Sequence, residues 1–180
     1  MRPSKSGSTS IFAARREAWS MVLSFLSFRL MSSMMTLFRS PNLMRPMLML
    51  LIAKAFGEIG ESTYHAASSL ELLHTASLVH DDVVDESDKR RGQKSVNAVY
   101  DNKVSVLVGD YLLATSLKEA ALTDNIKIVN LVARLGQNLS EGEIVQLSSI
   151  DTTEFSEEVY FDVIRKKTAA LFASCAEAGA

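Results

Sequence analysis

Two aspartates four residues apart, Asp81 and Asp85, stand in the most chemically loaded stretch of the chain, Glu71 to Gly92. The residues from Leu70 to Val79 are largely apolar, and neither glycine nor proline interrupts the sequence between Glu61 and Glu86. That pattern predicts one long, mostly buried helix. On such a helix Asp81 and Asp85 share a face, with His74 two turns earlier on the same side. Carboxylates held that close repel and raise one another's pKa, so their ionised forms call for a cation between them. A hard divalent ion such as Mg²⁺ suits carboxylate oxygens and keeps its other positions for water and substrate phosphates. Arg90 and Arg91 follow within a few residues, and their planar guanidinium forks match phosphate oxygens. Acids for a metal and arginines for phosphate together imply a diphosphate substrate. An acidic cluster near a helix end is usually solvated surface, but this one follows an apolar run and precedes two arginines and a glycine.

The elements that must position these residues read as helices. Pro46 suits a first helical position, and Met47 to Phe56 forms an almost wholly apolar helix, expected in the core and ended by Gly57. A turn around Gly60 leads into the central helix. Val104 to Ala121 is apolar on most faces, with Asp110 inside it, read as a satisfied cap or core aspartate or as a support beside the metal site. Ile126 to Leu147 repeats apolar positions at helical spacing, with Glu141, Glu143 and Gln146 expected to line polar space near the substrate. Thr153 to Ala178 is the last helix, opened by the acids that a helix dipole prefers and carrying Arg165, Lys166 and Lys167 at its middle. No useful strand alternation, Gly-rich phosphate loop or internal repeat is found, so the fold expected is all-α, a helix bundle with its site in the interior.

The 180 residues are 47% hydrophobic and 22% charged, which is ordinary for one globular unit. A net charge of −2 gives no reason to expect nucleic acid or an anionic membrane surface as a partner. The lone Cys175 excludes an internal disulfide and suits a reducing, cytoplasmic setting. Charge is unevenly spread: from Met1 to Gly57 the only acid is Glu17, among eight lysines and arginines. Residues 1–40 are read as an atypical segment, either a misjoined start or a transit-like leader. Trp19 to Phe38 as a stable membrane span is disfavoured by Arg29 at its centre, at about 2.5–3.5 kcal/mol, and by its serines.

The stretch from His74 to Gly92 resembles the first aspartate-rich region of the trans-type polyprenyl diphosphate synthases, in particular the bacterial long-chain, octaprenyl-like enzymes. The similarity continues through Ser95-Val96-Asn97, Val104 to Asp110, Glu141 to Leu147 and Lys167 to Leu171, covering roughly residues 45–180. The resemblance implies an antiparallel helix bundle of the isoprenoid synthase type that joins isopentenyl diphosphate to an allylic diphosphate. It also implies roles for single residues. Asp81 and Asp85 would hold Mg²⁺, with Asp82 in support. Arg45, His74 and Arg91 would bind isopentenyl diphosphate, and Arg90, Lys167 and Thr168 the allylic diphosphate. Ala76 and Ser77 fall at the family's gate positions under the growing chain, where small residues favour a longer product. The chain departs from the pattern at Ser40 to Pro46, where only Arg45 and Pro46 match and Asn42 stands in place of a lysine, which weakens the expected hold on isopentenyl diphosphate.

The family's second aspartate-rich motif is not found in these 180 residues, so the bundle is expected to be incomplete, residues 41–180 being the N-terminal part of a synthase domain. A homodimer is expected from the resemblance, or a complementing subunit. A non-catalytic or regulatory subunit of a heteromeric prenyltransferase is the alternative. An HD-type phosphohydrolase built on His80-Asp81 with His65 or His74 leaves Asp85 and the arginines unexplained.

Overall fold

The structure, a computed structural model, describes residues 44–90, 92–150 and 156–180. The expectations placed on residues 1–40, Asn42 and Arg91 lie outside the described residues. Met44 to Ala180 form one compact unit. Its order is α1 (Met44–Phe56), α2 (Glu61–Val84), β1 (Lys89–Arg90), β2 (Gln93–Lys94), α3 (Val96–Val99), α4 (Asn102–Ala121), α5 (Ile126–Ile150), α6 (Glu157–Ile164), a π-helical turn (Arg165–Ala169) and α7 (Ala170–Gly179).

The central helix α2 forms because its 24 residues contain no breaker, and Thr63 Oγ1 accepts from the Gly60 N–H (3.3 Å) at its start. Its other end is closed without a glycine. Glu86 takes a left-handed φ of 49°, and the Ser87 N–H donates to the Asp82 carbonyl (2.9 Å), satisfying a carbonyl the helix would otherwise leave open.

Small residues bring α2 and α4 together. Ser69 and Ser116 are both wholly buried, and the Ser116 hydroxyl donates to the Ser69 carbonyl at 2.8 Å. Ala66, Ala67, Leu70 and Leu73 of α2 then meet Ala120 of α4, Val132, Leu135 and Leu139 of α5, and Leu171 and Cys175 of α7 in the main core. Each fully buried leucine there contributes about 1.5–3 kcal/mol. A smaller cluster of Ala76, Val79 and Leu112 continues it towards the aspartates.

One expectation is corrected and two gain detail. The apolar α1 is not core all round: Met49 and Ala53 are buried, whereas Met44, Met47, Leu51 and Phe56 are exposed, because α7 and α2 cover only one of its sides. A short antiparallel hairpin exists, pairing Lys89 with Lys94 and Arg90 with Gln93, its two-residue loop made possible by Gly92 at φ 79°. The last helix runs unbroken from Glu157 to Gly179 but carries a π turn at its middle. The Ala170 N–H donates five residues back to the Arg165 carbonyl, so an extra residue is inserted at the Lys-Lys-Thr run.

Candidate active site

The bundle encloses an open cleft of about 890 Å³, walled by α2, α4, α5 and the π turn. Its lining includes Arg45, His74, Ala76, Ser77, Asp81, Lys167 and Thr168, so seven of the residues singled out from the sequence converge on one space. Ala76 is buried and leaves room beneath the aspartate turn. Ser77 folds its hydroxyl back onto the His74 carbonyl (2.9 Å), presenting little bulk to the cleft. Leu113, Leu117, Val132, Leu139 and Leu171 make the deeper wall apolar.

Asp81 sits on the last turn of α2, and the Asp85 N–H donates to its carbonyl at 2.7 Å, fixing the two aspartates one turn apart. Burial, and then the nearby Glu143 carboxylate, push the Asp81 carboxyl up to about 6, Lys167 opposing and Asp85 adding less than Glu143. The like charge that weighs most on Asp81 therefore comes from α5, not from its own helix. Sequence spacing points to Asp85 and cannot reveal Glu143, which is 62 positions away and reaches Asp81 only through the packing. Asp81 lines the cleft and Asp85, one turn on, is not among the lining residues; carboxylate oxygens of this kind are the hard donors that a divalent cation takes. No group of three or more metal-binding side chains occurs among the described residues.

Asp82 is 4% exposed and turns away from the cleft. Its Oδ1 accepts from Arg90 Nε at 2.8 Å and is ion-paired with Arg90 Nη2 at 2.8 Å, and its carbonyl accepts from Asn97 Nδ2 at 3.1 Å. One residue thereby ties α2 to the hairpin and to α3. Arg90 is not among the residues lining the cleft, because Asp82 holds its guanidinium.

At the opposite wall, the π turn sends its two lysines in different directions. Lys166 pairs with Asp162 (2.9 Å) and Glu141 (3.6 Å), whereas the Lys167 ammonium donates to Glu143 Oε2 and to Gln146 Oε1 (2.9 Å). Arg45, at the near end, faces Glu71 (3.8 Å) and lies 5.7 Å over the Phe172 ring, a cation–π contact that orients the guanidinium.

His80 also lines the cleft and meets Asp110 Oδ1 and the Val106 carbonyl, each at 3.3 Å. Asp110 is thus an exposed partner of His80 and not a core aspartate, its side chain being 61% exposed. His65 is engaged elsewhere, with Glu119 at 2.7 Å, and is not one of the residues lining the cleft beside Asp81.

No described helix is long and apolar enough to cross a membrane. A family model described as "Polyprenyl synthetase" matches residues 29–180. The octaprenyl diphosphate synthase of Haemophilus influenzae is 42% identical over 136 residues, covering 76% of this chain and 41% of that protein. Component 2 of the heptaprenyl diphosphate synthase of Geobacillus stearothermophilus is 39% identical over 137 residues, 76% of this chain and 42% of its own length. The solved polyprenyl synthase of Caulobacter crescentus, complexed with calcium and isoprenyl diphosphate, superposes with a TM-score of 0.76 at 32% identity, covering 98% of this chain and 57% of that one. The chain spans about two fifths of the length of the curated relatives it matches. With the aspartate turn, the lysine-bearing π turn and the apolar cleft between them, these matches show that the chain belongs to the polyprenyl synthetase family.

Proposed function

We propose that the cleft binds the two diphosphates of a prenyl chain elongation, in which isopentenyl diphosphate condenses with an allylic polyprenyl diphosphate. The observation that carries this reading is the convergence of Asp81, Lys167, Arg45 and His74 on one apolar-floored cleft. Asp81 and Asp85 would hold Mg²⁺, which when bound neutralises diphosphate charge and makes it a better leaving group. The Caulobacter enzyme was solved with a divalent cation and an isoprenyl diphosphate together, which supports that assignment.

Lys167 and Thr168, on the π turn, would hold the allylic diphosphate, with Arg90 as a further candidate once Asp82 releases it. Arg45 and His74 would anchor isopentenyl diphosphate from the other end, joined by Arg91. Holding the two substrates in register is a positioning contribution worth several orders of magnitude in rate. The allylic C–O bond breaks with its electrons leaving on the diphosphate, and the isopentenyl double bond attacks the resulting cation. A proton is then lost to the departing diphosphate. The side chains of Leu113, Leu117 and Leu139 exclude the water that would trap that cation. Ala76 and Ser77 leave the space beneath open to a long hydrocarbon.

A cytoplasmic location accompanies this reading. Exposed Val106, Leu107 and Tyr111 along α4 support an assembly with a second copy. The match to a protein named as one component of a synthase favours, as a second reading, a subunit that works with a different partner. Addition to a complete synthase separates the two, since a regulatory subunit shifts product length and a separate homodimer does not.

The two diphosphate sites are tested by paired substitutions and calorimetry on the full chain. Lys167→Ala should weaken farnesyl diphosphate at least about tenfold and spare isopentenyl diphosphate, and Arg45→Ala the reverse. Equal losses of both ligands in both variants would contradict separate sites.

A further inference from the structure

Resting on the diphosphate reading above, we propose that Glu143 is a positioning residue that holds the Lys167 ammonium against α5 and yields it to an incoming diphosphate. Three features build this contact. The Lys167 ammonium donates to Glu143 Oε2 and to Gln146 Oε1, so both partners lie on α5, one turn apart. The Glu143 side chain is 12% exposed and that of Lys167 24%, which keeps the pair partly out of water. Gly142 lets the two backbones close: a Cβ there would come within 2.9 Å of Lys167 Cγ and 3.0 Å of Lys166 Cβ. The inserted residue of the π turn then aims Lys167 at Glu143 while Lys166 turns out to Asp162.

Glu143 is an unsettled partner. Its second oxygen, Oε1, is buried and finds no hydrogen-bond partner among the described residues. It also stands close enough to Asp81 for the two carboxylates to repel. The Lys167 ammonium is the charge that offsets this carboxylate. A diphosphate brings several negative charges to the same ammonium, and one cation cannot serve both fully. A diphosphate that binds through Lys167 draws on the charge that Glu143 also holds, so the two are mutually weakening partners of one group. Such coupling lowers affinity for the diphosphate, and it keeps Lys167 aimed along the cleft wall until a diphosphate arrives.

The test is a double-mutant cycle read by calorimetry, with inorganic pyrophosphate and Mg²⁺ titrated into the full 180-residue chain. Glu143→Gln, which keeps the shape and removes the charge, should tighten pyrophosphate binding about tenfold. In a Lys167→Met background the same substitution should tighten binding at most about twofold. Glu143→Asp, a smaller disturbance should Glu143→Gln fail to fold by circular dichroism, should tighten binding to a lesser degree with the same dependence on Lys167. Unchanged or weaker binding in Glu143→Gln overturns the proposal. So does tightening of equal size in the Lys167→Met background, which would be a general effect of removing negative charge. A folded wild-type chain that binds no pyrophosphate overturns the diphosphate reading, and this inference falls with it.

Discussion

Burial and the neighbouring Glu143 carboxylate hold the Asp81 carboxyl at about 6 against its ordinary 3.8. The folded protein thus binds that proton more tightly than the unfolded chain does, so stability falls as pH rises across the window between those values. Asp81→Asn removes this loss. In EDTA at pH 7 it should stabilise the protein against urea by about 1 kcal/mol after allowance for solvent screening, with no gain near pH 3.5. Destabilisation at pH 7 would mean that the Asp81 charge is compensated within the cleft. Cys175 offers a second pH reading: burial pushes its thiol up to about 11, with Arg45 opposing. Native protein at pH 8 should resist a disulfide-exchange reagent that labels it fully in denaturant. Rapid native labelling would contradict its place in the core. The paired aspartates are legible in the spacing alone, because a helix period fixes which residues share a face. The weight of Glu143 on Asp81 is not, since it depends on how α5 packs across the cleft.

Helix α4 lies so close to α2 at Gly109 that a Cβ there would fall 2.2 Å from His80 Nε2. Gly109→Ala should therefore cost about 1–3 kcal/mol in thermal or urea unfolding, despite the better helix propensity of alanine. In a His80→Ala background the sign should reverse, with a gain of up to about 1 kcal/mol. Equal destabilisation in both backgrounds would place the clash elsewhere. The long helices are legible because nothing breaks their apolar periodicity. The π turn is not, because Arg165 to Ala169 contains no glycine or proline to mark it. The end of α2, at Val84, is hidden too: the left-handed residue that follows it is Glu86, and no glycine marks the place. The outward apolar face of α1 shows a further limit, since an all-apolar sequence says that a helix needs cover but not from which side.

Across the 44–180 unit, residues separated by up to 126 positions, from Arg45 to Leu171, line one cleft. That convergence follows from α2 running through the core and packing against α4, α5 and α7. Resemblance to a family brings these distant residues into one site before any packing is visible. Composition and periodicity reach only as far as a helical bundle with an acidic turn. In the proposed function the aspartate turn and the lysine wall act together on a diphosphate through a divalent ion. Calorimetry of farnesyl diphosphate with the full chain, in Mg²⁺ and in EDTA, on wild type and Asp81→Ala, puts that cooperation to the test. Binding in Mg²⁺ should weaken at least about tenfold in EDTA, with an equal loss in Asp81→Ala and no further effect of EDTA on that variant. Binding indifferent to both EDTA and Asp81→Ala would mean that the turn and the wall do not share a metal-bridged ligand.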